Sequence, residues 1–144
     1  MKVMLVLPPS RFATKEILGI TSPPLGLAYL ASSLENEGYK VKIIDAPTLN
    51  WKMDDVQLEI ENFKPQLVGI TSTTPTIYDA YEVAEITKKI DPEITVVIGG
   101  PHVSFASFTT LDECSSIDIV FYLRPKFIWQ QIRRKDFFLF KESL

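Results

Sequence analysis

Val96-Val97-Ile98-Gly99-Gly100-Pro101-His102 is a β-branched run that stops on two glycines, the pattern of a buried strand bringing its carboxyl end to a ligand. An earlier stretch, Leu67-Val68-Gly69-Ile70-Thr71-Ser72-Thr73-Thr74-Pro75, has the same form: a short apolar run that empties into four consecutive hydroxyl side chains. Two such strand ends side by side predict a crevice of hydroxyls and bare backbone, which in an open α/β sheet is where ligands bind.

Working outward, Val3 to Leu7 is a continuous apolar run ended by Pro8-Pro9, consistent with a strand covered on both faces. After a long loop, Pro23-Pro24 opens a helix whose Leu25, Leu27, Ala28, Leu30, Ala31 and Leu34 make a wide apolar face, with Gly38 placed to stop it. Lys40 to Asp45 alternates only in part and reads as a strand near an edge. Helices are expected over 54–64 and 76–90, a short one around 105–114, and a fifth strand over 117–121. Strands alternating with helices predict βαβ units, so the expected fold is α/β: a Rossmann-like, flavodoxin-like open sheet of five parallel strands with helices on both faces. Residues 1–123 form that domain and 124–144 a basic, aromatic tail packed on it or at an interface.

At 144 residues and 46% hydrophobic, the chain suits one domain burying roughly 70% of its unfolded surface. No apolar run approaches the roughly 18 residues of a membrane helix, and Met1-Lys2 leads straight into a strand, so a soluble cytoplasmic protein is expected. The lone Cys114, in Asp-Glu-Cys-Ser-Ser, excludes an internal disulfide and reads as an unreactive surface or half-buried thiol. Charge is uneven: residues 124–144 carry six basic and two acidic side chains, leaving +4 there and −7 on the remainder. An acidic body argues against nucleic acid.

Each candidate has a structural alternative. Thr71, Ser72, Thr73 and Thr74 can bond a polar ligand, although helix capping accounts for one or two of them. Gly99-Gly100 permits close backbone approach or simply a turn. His102, the single histidine, stands at the mouth of the same crevice as a ligand-edge contact or a polar loop residue. Asp45 reads as a loop-ordering carboxylate and Asp118 as a solvated turn residue. No catalytic triad, paired catalytic carboxylates or metal-ligand cluster stands out, and no phosphate-binding glycine motif follows the first strand. Neither catalytic nor metal-ligating residues are therefore assigned.

Pro8-Pro9, Ser22-Pro23-Pro24-Leu25-Gly26-Leu27-Ala28-Tyr29-Leu30-Ala31, Gly69-Ile70-Thr71-Ser72-Thr73 and Gly99-Gly100-Pro101-His102 together resemble the amino-terminal cobalamin-binding domain of cobalamin-dependent radical S-adenosylmethionine enzymes. That group includes the anaerobic magnesium-protoporphyrin ester cyclase and many methyltransferases. The resemblance covers residues 1–123 and implies a corrinoid over the carboxyl ends of the strands, its nucleotide tail passing between sheet and helices. It implies cofactor contacts from Pro24, Leu25, Thr71, Ser72, Thr73, Gly99, Gly100, Pro101 and His102, with Thr71 and Thr73 at the Ser-x-Leu positions of corrinoid domains. Two departures accompany it. The Asp-x-His-x-x-Gly loop that supplies a lower cobalt ligand is missing between Pro8 and Pro24, so a cobalamin bound without histidine ligation from that loop is expected. The Cys-x-x-x-Cys-x-x-Cys iron–sulfur motif is missing too, so any radical chemistry belongs to a separate enzyme.

After Leu123 the resemblance stops, which also fits a truncated gene product. A short helix over 125–134 and a strand or packing plug over 137–140 are expected, with a homodimer through the tail. The rival readings are a structural or regulatory module that self-associates, and a flavin or nucleotide binder.

Overall fold

The computed structural model describes residues 1–10, 23–124 and 127–132, those past Phe121 as backbone only. The strands are β1 (Lys2–Leu7), β2 (Lys40–Asp45), β3 (Leu67–Thr71), β4 (Thr95–Gly99), β5 (Ile119–Arg124) and β6 (Phe127–Ile132). The helices are α1 (Leu25–Asn36), α2 (Ala46–Leu49), α3 (Met53–Phe63), α4 (Ile77–Ile90), α5 (Pro101–Phe105) and α6 (Ser107–Glu113), with a 3₁₀ turn over Thr74–Thr76. The strands form one sheet in the order β2-β1-β3-β4-β5-β6, the first five parallel and β6 antiparallel to β5. The parallel part is the doubly wound, flavodoxin-like arrangement, whose strand order reverses between β1 and β3.

Local chemistry sets the element ends. Asp45 caps α2, accepting from the Thr48 amide (3.2 Å) and hydroxyl (2.7 Å), and so orders the loop as expected. In α3, Asp55 accepts from the Lys52 amide at 2.8 Å, and Lys64 at φ 52° ends the helix just before Pro65. In α4, Asp79 in the first turn and Lys88 and Lys89 in the last match the helix dipole.

Strand alternation divides the interior into two unequal cores. Met4, Val6, Val68, Ile70, Val96, Ile98 and Val120 point to the face covered by α3, α4 and α5, where Val56, Ile60, Ala80, Val83 and Val103 meet them. Val3 and Leu5 point the other way, against Leu27 and Ala31 of α1.

Several expectations are corrected. The five parallel strands are as expected, but within the stretch expected to be helical Phe127–Ile132 forms a sixth, antiparallel strand, because its Phe-Ile-Trp run is β-prone and finds the open edge of β5. The apolar face of α1 is narrower than its sequence implies: Leu27 and Ala31 are buried while Leu25, Ala28 and Leu30 are exposed, since among the described residues no second helix flanks α1. Cys114 is fully inside, packed in the larger core beneath α6. Asp118 is no solvated residue. Its Oδ2 accepts from the Val96 amide at 2.8 Å and pairs with Lys88 Nζ at 2.6 Å, while its own amide donates to the Val96 carbonyl. The turn before β5 tucks this carboxylate under β4, where it replaces a missing ladder partner. The 137–140 expectation and most of the loop before Pro23 lie outside the described residues.

Candidate functional site

The carboxyl ends of β3 and β4 are neighbours, with Thr71 beside Gly99 in register. The sequence reading expects an open crevice between them. The structure instead joins the two loops by hydrogen bonds: the Ser72 amide donates to the Gly99 carbonyl at 2.9 Å, and the His102 amide donates to the Ser72 carbonyl at 3.4 Å. Ser72 is buried, and its hydroxyl points to the same Gly99 carbonyl at 3.4 Å. Its position is that of a tie between loops.

The two glycines differ in kind. Gly100 sits at φ +106°, and a Cβ there would stand 2.5 Å from the Ser72 carbonyl oxygen and 2.9 Å from Thr71 Oγ1. The chain itself fills the space that Gly100 leaves, so its requirement for glycine is internal. Gly99 is in ordinary strand conformation, and a Cβ there would meet only the Phe121 carbonyl oxygen, at 3.5 Å. Its bare surface looks outward from the sheet.

Gly99 shares the α1 face with Thr71, Gly69 and Val97, because strand parity puts these opposite Val68, Ile70, Val96 and Ile98. All four are half-buried, whereas their neighbours on the other face are fully buried. Between Leu5, beneath α1, and Phe121 lies a strip on which only Val97 and Thr71 stand beside the two glycines, with the Leu5 side chain 2.9 Å from where a Cβ of Gly69 would be, and it ends at the Thr71 hydroxyl. Among the described residues no helix covers it. This strip is the signal that counting glycines in sequence missed: strand parity, applied across paired strands, places Gly69 beside Val97 and Gly99 beside Thr71 on one face.

The rim at the carboxyl end is polar. Thr73 opens the 3₁₀ turn, its amide donating to Thr76 Oγ1 at 3.0 Å and its hydroxyl 3.1 Å from the same atom. His102 Nδ1 lies 3.2 Å from Thr74 Oγ1, which links the β4–α5 loop to the β3–α4 loop and leaves Nε2 as the ring's other polar atom. Pro101 starts α5 beside it and is exposed. Pro24 and Leu25 are brought to the start of α1 on the strip's own face: Pro24 accepts from the Ala28 amide at 3.1 Å, and Leu25 is exposed. No described hydrogen bond joins them to either loop.

Away from this site, a groove of about 700 Å³ runs between α4 and α6. Within it Tyr81 donates its hydroxyl to Glu113 Oε2 at 3.1 Å. Burial pushes the Tyr81 phenol up to about 12, partly offset by a bond with the Thr110 side chain and reinforced by Glu113.

Comparison with known proteins bears on the family and the fold. Residues 17–124 match the B12-binding domain family. The chain is 50% identical over 120 residues to an uncharacterized methyltransferase of Pyrococcus horikoshii, covering 83% of this chain and 26% of that protein. It is 37% identical over 121 residues to the anaerobic magnesium-protoporphyrin IX monomethyl ester cyclase of Rubrivivax gelatinosus, covering 83% and 22%. Among solved structures, the cobalamin-dependent S-adenosylmethionine radical enzyme OxsB, with aqua-cobalamin and S-adenosylmethionine bound, superposes with a TM-score of 0.69 at 19% identity. That match covers 83% of this chain and 16% of OxsB. The chain therefore spans about a quarter of the length of these curated relatives.

Proposed function

The chain belongs to the B12-binding domain family, and on that premise we propose that it holds a corrinoid across the α1 face of its sheet. The observation that carries this reading is the bare backbone of Gly99, where a Cβ would meet only the Phe121 carbonyl oxygen at 3.5 Å; at Gly69 the Leu5 side chain already stands 2.9 Å from where a Cβ would be. A long, flat, amide-rich ligand with a nucleotide tail needs such a strip, because side chains standing on the sheet would hold it off. Cobalamin supplies a cobalt centre able to carry an alkyl group, as the similarity to methyltransferases and cyclases would require.

The chain's own residues divide the work. Thr71 bonds the tail where it leaves the strip, since its hydroxyl is at the strip's end. Thr73 and His102 meet the polar edge of the ligand, and the Thr74 contact fixes the imidazole plane for that purpose. Pro24 and Leu25 present an exposed, largely apolar start of α1 beside the strip. Ser72, Gly100 and Pro101 hold the loops in place. Binding proceeds without histidine ligation from the first loop, as Pro8 to Pro24 contains no histidine.

Titration of the protein with hydroxocobalamin and methylcobalamin, following the visible spectrum together with heat, tests this. Saturable binding is expected, weakened at least about tenfold, or ~1.4 kcal/mol, by Gly99→Val. Absence of uptake at roughly fifty times the concentration of a micromolar binder overturns it. Yellow protein carrying flavin would instead favour the flavin reading.

A further inference from the structure

The strip assigned to the corrinoid is not uniform along its strands, and its closed end limits what can enter. Strand register sets the α1 face out in rows. The row at the carboxyl ends puts Thr71 beside Gly99. The row before it runs Leu5, Gly69, Val97, Ile119 across four neighbouring strands. The first row is open at Gly99, where an added Cβ would meet only the Phe121 carbonyl oxygen, at 3.5 Å. The second row is filled. Leu5 Cδ2 stands 2.9 Å from where a Cβ of Gly69 would be, so the leucine itself takes that glycine's space. Leu5 and Ile119 are buried, and the half-buried Val97 stands on β4 between Gly69 and Ile119.

Successive side chains on one face of a strand are two residues apart, roughly 6.6 Å. The opening at Gly99 is therefore a single row deep, and Val97 is its floor. The side chains at that level, Leu5, Val97 and Ile119, carry no polar atom, while the Thr71 hydroxyl stands one row nearer the carboxyl ends. A group that reaches the floor has to end in apolar atoms, since an amide, a ribose hydroxyl or a phosphate would lose its water there without gaining a partner. Among the parts of a corrinoid, the flat lower base of the nucleotide tail meets that condition, with its ribose and phosphate left at the level of Thr71.

We propose, on the corrinoid reading, that Val97 sets the length of lower base this chain accepts: the far edge of the base stops on the Val97 methyl groups, with Leu5 and Ile119 bounding it on either side. In a filled apolar site one methyl group more or less changes affinity by roughly tenfold or more. Bulk added at Val97 acts against a long base in particular, and bulk removed there acts in its favour. A corrinoid without a base never reaches the floor and is indifferent to both.

Three corrinoids test this: cobalamin, whose benzimidazole carries methyl groups on its far edge, the homologue with an unmethylated benzimidazole, and cobinamide, which has no nucleotide. Spectral titration gives the dissociation constant of each for the unsubstituted chain, Val97→Ala and Val97→Ile, and circular dichroism checks that both variants are folded. The preference for the unmethylated over the methylated base should rise from Ala through Val to Ile, by at least about tenfold across the series, while cobinamide binding changes by less than about twofold. Thr71→Val should weaken both nucleotide-bearing corrinoids alike and leave the preference where it was. Where Val97→Ile does not fold, the shift in Val97→Ala decides. A preference that stays fixed across the series, or cobinamide binding that moves with it, overturns the proposal and leaves the corrinoid reading standing. So does cobinamide bound as tightly as cobalamin, because the tail then has no place in the strip. Failure of all three corrinoids to bind overturns the corrinoid reading, and the proposal with it.

Discussion

The two faces of the sheet come from the same five parallel strands and are dressed very differently. One face is covered by α3, α4 and α5 and buries a continuous layer running from Met4 to Val120. The other has α1 over β1 and β2, and a small cluster of Val3, Leu5, Leu27 and Ala31. Burial on the first face holds the fold together. The second trades burial for access: where its residues would need cover, at Gly69, Thr71, Val97 and Gly99, it has small or half-buried side chains and bare backbone. Stability and the proposed binding thereby fall on opposite sides of one sheet, separated by the alternation of a strand.

The sharpest way to break this comparison is a pair of adjacent truncations in β4. Ile98→Ala, on the packed face, should cost about 3 kcal/mol, because a fully buried side chain leaves a cavity that its neighbours cannot fill. Val97→Ala, one residue earlier on the α1 face, should cost under about 1 kcal/mol. Urea unfolding midpoints at constant m-value measure both, and equal losses would mean that the second face is as well covered as the first.

Asp118→Ala should follow, at about 2 to 3 kcal/mol. It strips the Val96 amide of its acceptor and takes the carboxylate from Lys88, whose ammonium keeps the Pro92 and Ile94 carbonyls as partners. Thermal melts at neutral pH check this, and a loss as small as an ordinary surface substitution would return Asp118 to the solvent.

The glycine pair sharpens the comparison at the site itself. Gly100→Ala should destabilise by about 2 kcal/mol, since it forces a Cβ toward the Ser72 carbonyl at a φ of +106°. Gly99→Ala should change stability by less than about 1 kcal/mol, with its effect on cobalamin uptake. Parallel melts and spectral titrations separate the two, and loss of binding without loss of stability at Gly100 would reverse their roles.

The smallest effect expected concerns Tyr81. Its phenol holds its proton to about 12 in the fold against 10.0 ordinarily. Between those values the unfolded chain releases a proton that the folded one keeps. The stability this supplies is complete below pH 10 and is lost as pH rises toward 12. Tyr81→Phe should remove that part of the alkaline slope, measured as the difference between the two proteins' denaturant midpoints from pH 9 to 12.

Much of the fold was legible because it depends on local patterns. The β-branched runs, Pro23-Pro24 before α1, Gly38 after it and Pro65 after α3 mark elements by their backbone demands, which act over a few residues. The paired strand ends at Thr71 and Gly99 were legible for the same reason. Elsewhere local pattern misled. Asp118, in a polar stretch that reads as a turn, is buried because Val96 and Lys88 arrive from other elements. The apolar stripe of α1 reads as wide, yet half of it faces outward. The 125–134 region has helical spacing in part, but an open strand edge beside it offers backbone partners that an isolated helix lacks.

The sequence by itself determined the order of the five parallel strands and the three longer helices between them, the family resemblance and the residues gathered at the carboxyl ends of β3 and β4, since these follow from side-chain chemistry and short-range sterics. The tertiary structure alone decided which glycine is open and which is filled, that Ser72 ties two loops, and which sheet face is covered. Those outcomes rest on distances between residues far apart in the chain, such as Gly100 and the Ser72 carbonyl, and no local pattern contains them.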